Sequence, residues 1–110
     1  MTKKYIRNDR VAVAYSPGFG AGWSTWAYNE LSDILIFHPD IINMILSNKQ
    51  SEINDGWLVE HFGEKFEDVY CGGASNLHIA WVPVGTQFRI DEYDGSERVI
   101  ELLNDNIHIA

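Results

Sequence analysis

The chain has 110 residues, of which 45% are hydrophobic, 22% charged and 13% aromatic; that balance excludes a disordered or fibrous chain and suits one apolar core with one cleft. A single compact domain over residues 1–110 is expected. The net charge is −8 and unevenly spread: Lys3, Lys4, Arg7 and Arg10 against Asp9 give the first ten residues +3, so the other hundred carry −11, which argues against direct nucleic-acid binding because such a body repels phosphate backbones.

An acidic body can instead meet a basic protein surface, mimicry of nucleic acid included, although acidic surfaces also serve solubility alone. Cys71 is the single cysteine, so the chain cannot form an internal disulfide or a thiolate metal cluster, and a reducing cytosol fits. The longest wholly apolar stretches, such as Val11–Tyr15 and Ile34–Phe37, are too short for a signal peptide or a membrane span.

Arg10–Tyr15 alternates Val11, Val13 and Tyr15 with small Ala12 and Ala14, the period of a strand packed closely on one side. It runs into Ser16–Trp26, where Gly18, Gly20 and Gly22 exclude a regular helix and Phe19, Trp23 and Trp26 exclude a flexible linker. Residues 29–37 fit neither the helical nor the strand period. From Pro39, apolar residues at 41, 42, 45 and 46 predict a short helix starting at Pro39 or Asp40. Leu58, Phe62 and Phe66 predict a second, with Gly63 inside it as a weak point.

After Cys71-Gly72-Gly73 the period becomes two. Leu77–Val82, a turn at Pro83-Val84-Gly85, and Phe88–Ile90 read as a hairpin. Asp94-Gly95 predicts a second turn before Arg98–Leu103 and a short terminal Ile107–Ile109. The predicted class is α+β: N-terminal strand, Gly/Trp-rich loop, two short helices and a C-terminal antiparallel meander.

The loop is the candidate ligand site. Alternate glycines, Gly20 among them, expose backbone N–H groups; Ser16, Ser24 and Thr25 add hydroxyls; Tyr15, Trp23 and Trp26 add flat faces. Together they suit a small planar or anionic ligand, with Arg89 as counter-charge. The alternative is a loop whose aromatics cap the core, with Arg89 paired to a carboxylate across a strand. The glycines match neither a dinucleotide fingerprint nor a Walker loop, so no cofactor is expected. Asp91, Glu92, Asp94 and Glu97 suggest hard-cation chemistry, but they lack calcium-loop spacing and read as a solvated turn. His38, His61, His78 and His108 lack zinc spacing, so no metal is expected, and His38 before Pro39 reads as a loop hydrogen-bonder. Cys71 with His61 or His78 would be the catalytic pair if the chain were an enzyme; no local signature accompanies it, and a non-enzymatic role is expected.

The motifs Tyr15–Trp26, Cys71–Gly73 and Trp81–Glu97 resemble small accessory proteins of tailed bacteriophages and prophages, a group without a settled activity, over most of the chain. The resemblance implies action in the host cytoplasm and transfers no catalytic residue. Three roles follow as expectations: sequestering a small ligand or inhibiting a host defence factor; docking of the acidic stretches 52–68 and 91–105 on a basic host protein; or a minor virion or assembly part. The aromatic excess also makes a homo-oligomer an option.

Overall fold

A computed structural model of the chain describes residues 3–17, 22–25, 29–67, 73–93, 96–102 and 108–109. The fold is α+β, and among the described residues there are two three-stranded antiparallel sheets, the first ordered β1 (Ile6–Arg7), β2 (Arg10–Tyr15), β3 (His78–Pro83). β1 and β2 form a hairpin across Asn8-Asp9, both at positive φ (53° and 61°), the backbone that a two-residue hairpin turn needs and that Asn and Asp tolerate. The predicted strand Arg10–Tyr15 matches β2 residue for residue.

β3 does not form a hairpin with the strand that follows it; it pairs with β2 over six residues. Side-chain volume explains the choice. Ala12 faces Trp81 and Ala14 faces Ile79, so each large side chain of β3 meets a small one of β2. Val11 to Ala14 are fully buried on both faces, which suits a central strand and would be wasted on an edge. Pro83 to Thr86, with Gly85 at φ 87°, then turns the chain out of this sheet, Thr86 N–H donating to the Pro83 carbonyl at 3.0 Å.

The second sheet has β4 (Gln87–Tyr93) between β5 (Ser96–Leu102) and β6 (His108–Ile109). Tyr93 pairs with Ser96, and the predicted turn at Asp94-Gly95 lies outside the described residues.

Among the described residues there are three α-helices, α1 (Asn29–Phe37), α2 (Pro39–Leu46) and α3 (Asp55–Phe62), of which α1 and α2 pack on the first sheet. α1 is the stretch whose period was ambiguous, because it is buried on two sides. Leu31, Ile34 and Leu35 pack with Ala12 and Ala14, whereas Ile36 and Phe37 pack with Val11, Val13, Val82 and Phe88 on the opposite face of β2. A helix apolar on both flanks shows no single stripe.

α2 starts as predicted, with Pro39 in its first turn and His38 as its cap, Nδ1 accepting the Asp40 N–H at 3.1 Å. Ile41 and Ile42 are buried, but Leu46 is exposed at the helix end. α3 is shorter than predicted. Gly63 does not weaken its interior but ends it at φ 103°, and Phe66 reaches the core from the following 3-10 turn.

Candidate functional site

The Gly/Trp turn is built around a carboxylate supplied by the chain itself. Glu97, near the start of β5, has 1% of its surface exposed. Its Oε1 accepts the Ser16 N–H at 3.1 Å. Its Oε2 accepts the Ser24 N–H at 2.8 Å, the Thr25 N–H at 3.0 Å, the Thr25 hydroxyl at 3.0 Å and the Ser24 hydroxyl at 3.3 Å. Burying a carboxylate alone costs many kcal/mol; five donors, each contributing about 1.5–3 kcal/mol toward a charged acceptor, offset that cost.

The same residue joins the two sheets. Glu97 N–H donates to the Ser16 carbonyl at 2.8 Å while its side chain accepts from the Ser16 N–H, so Ser16 is paired just past the end of β2. Two hydroxyls add to the junction: Ser16 Oγ donates to the Gly73 carbonyl at 2.9 Å and Ser96 Oγ to the Pro17 carbonyl at 2.5 Å.

Trp23 anchors the other side of the turn. Its ring is fully buried and Nε1 donates to the Leu35 carbonyl of α1 at 2.9 Å. Gly22 precedes it at φ 57°, where a side chain would strain the backbone. Trp23→Ala is therefore a core deletion expected to lose about 3–5 kcal/mol in chemical denaturation. It cannot serve as a clean probe of ligand binding.

The proposed ligand residues thus have these positions. Ser16, Ser24 and Thr25 converge on Glu97, Trp23 is in the core, and Tyr15 is half-buried with its ring 6.0 Å from that of His78. Gly20 and Trp26 lie outside the described residues, as does Cys71. Arg89 is not part of this group. Glu97 faces Glu92 and Arg89 faces Ile100, so strand alternation sends Arg89 to the opposite face of the β4–β5 ladder. There Arg89 Nε meets Asp91 Oδ1 at 2.6 Å, a partner two residues along its own strand, not across one.

The acidic hairpin also divides. Glu92 and Tyr93 are exposed and Asp91 holds Arg89, but Glu97 is the reverse of a solvated turn residue. Alternation carried the signal: Glu97 has the parity of Val99 and faces the side of Phe88 and Ile90, the apolar side of the ladder. Among the described residues no group of three His, Cys, Asp or Glu is placed to hold a metal ion. His61 and His78 direct Nδ1 to the carbonyls of Trp57 and Asn76.

A run of exposed carboxylates lies elsewhere, in α3 and the turns on either side of it. Glu52, Asp55, Glu60, Glu64 and Glu67 are all exposed, against Lys65. Beside Glu60, half-buried Trp57 stacks on exposed His61 with ring centroids 3.9 Å apart, and half-buried Phe62 lies 5.8 Å from Trp57. At 100° per residue, Glu60 is central on the outward face and Trp57 with His61 forms its flank. No described helix is long and apolar enough to cross a membrane. No family model, no curated protein and no solved structure matches the chain.

Proposed function

We propose that this chain is a non-enzymatic binding protein whose α3 face docks on a basic protein surface. The observation that carries the reading is the run of exposed carboxylates through α3 and its flanking turns, Glu52, Asp55, Glu60, Glu64 and Glu67, with the Trp57–His61 stack on the same helix. Carboxylates steer a cationic partner into contact and a half-buried Trp offers it an apolar and cation-π anchor. The sequestering of a small ligand by the Gly/Trp turn is less favoured, since the donors of Ser16, Ser24 and Thr25 are directed at Glu97. The resemblance to phage accessory proteins makes the partner a protein of the host cytoplasm, one whose basic surface ordinarily meets nucleic acid.

The test passes the heparin-binding fraction of a bacterial lysate over the immobilised chain. Proteins retained at low ionic strength should elute as salt rises through roughly 0.1 M, where the Debye length falls to about 10 Å. Glu60→Lys/Glu64→Lys should retain none of them. Retention indifferent both to salt and to that double substitution would sink the proposal.

A further inference from the structure

The basic charge of the first ten residues takes a defined form in the β1–β2 hairpin. Arg7 and Arg10 are direct cross-strand partners, so their side chains leave the same face of the sheet, the face that also carries Tyr5 and Trp81. Like charges directly opposite one another are unfavourable. A neighbouring carboxylate would remove the conflict, yet among the described residues none lies within ion-pair distance of either arginine, Asp9 in the turn between them included.

Both side chains are nevertheless held in place, and Trp81 holds them from two directions. The Arg7 guanidinium lies 5.2 Å from the Trp81 ring and 5.6 Å from the Tyr5 ring, and its Nη2 donates to the Tyr5 hydroxyl at 3.0 Å. Arg10 Nη1 donates to the Trp81 carbonyl at 3.5 Å. Tyr5 and Trp81 are themselves in edge contact at 6.1 Å. Each fork has one hydrogen bond to the protein, and among the described residues most N–H donors of the two forks have no acceptor. Exposed Lys3 adds a further positive charge to the same segment, whereas Lys4 lies over Phe37 at 4.8 Å, on the other face of the sheet.

We infer that Arg7 and Arg10 form a binding site for the phosphate group of a small molecule. A dianionic tetrahedral group has enough acceptor oxygens for two planar forks and matches two positive charges in number, whereas a single carboxylate matches one. The site is separate from α3 and independent of the role proposed for it.

The experiment titrates isotope-labelled protein with sodium pyrophosphate, with sodium chloride at equal ionic strength as the reference, and reads backbone amide shifts. Saturable shifts at residues 5–12 and 79–83 are expected with pyrophosphate only. Affinity should fall at least about tenfold in Arg7→Ala and in Arg10→Ala, and also in Arg7→Lys, because an ammonium cannot present the planar fork. Both arginines are exposed, so the variants keep the fold, which the same spectra report. A nucleoside diphosphate that binds more tightly than pyrophosphate assigns a ligand with a stacking base, and equal affinity assigns the phosphate alone. Shifts that fail to saturate, that chloride reproduces, or that persist unchanged in Arg7→Ala overturn the site.

Discussion

Glu97 and the Arg7–Arg10 pair are opposite solutions to the placement of charge. Glu97 lies in the interior with five donors directed at two oxygens, every one from the segment its strand must join. Arg7 and Arg10 stand at the surface, face each other across a hairpin, and have aromatic and carbonyl contacts but no counter-charge among the described residues. The first arrangement is saturated and can do little except hold the structure. The second is held in position and unsatisfied, the condition in which a surface group retains capacity for a ligand. Polar groups in the Gly/Trp turn drew attention for their chemistry, yet burial gave that chemistry to the fold.

Substitution can break this contrast, and the largest effect should come from Glu97→Ala. It leaves three N–H groups and two hydroxyls without an acceptor in a closed site and should lower unfolding free energy by about 3–5 kcal/mol in urea denaturation, a large share of a small domain's total. A loss below about 1 kcal/mol would mean that water reaches the turn and the site is not saturated. Glu97→Gln should fall between. With its carbonyl oxygen at the Oε2 position it keeps four of the contacts and turns an NH2 toward the Ser16 N–H, for a loss of about 1–3 kcal/mol by the same measurement. Ser24→Ala and Thr25→Ala each remove one hydroxyl donor while the N–H remains, and about 0.5–1.5 kcal/mol is expected for each. The smallest change should have the opposite sign. Arg10→Glu places an opposite charge across from Arg7 and should raise stability by about 0.2–1 kcal/mol at low salt, the gain shrinking as salt is added. A loss of stability there would show that the like-charged pair is already neutralised.

Much of the local structure was legible because it depends on neighbours in sequence. The alternation of Arg10–Tyr15 and the Pro39 start of α2 both reflect backbone preferences and side-chain period over a few residues. Asn8-Asp9 carried a signal of the same kind that the sequence reading passed over, a turn pair whose positive φ values admit the short strand β1. The helix at 29–37 was hidden because two cores claim its two flanks, and a period reports only one.

The candidate site shows where such reading ends. Composition and period drew out Ser16, Trp23, Ser24 and Thr25 as a set, and the structure does gather Ser16, Ser24 and Thr25, but about Glu97, a residue more than 70 positions away that the sequence assigned to a solvated turn. Arg89, assigned to the same group, lies on the other face of its ladder.

By itself the sequence determined the α+β class, the uneven charge and most of the elements, since these follow from residue type and short-range spacing. Only the tertiary structure decided that β3 pairs with β2, because that depends on Ala12 and Ala14 leaving room for Trp81 and Ile79. It also decided which charge is enclosed and which is left facing water. Hydrogen-bond satisfaction is a property of the groups that meet after the chain has closed on itself, and no periodicity along it encodes that meeting.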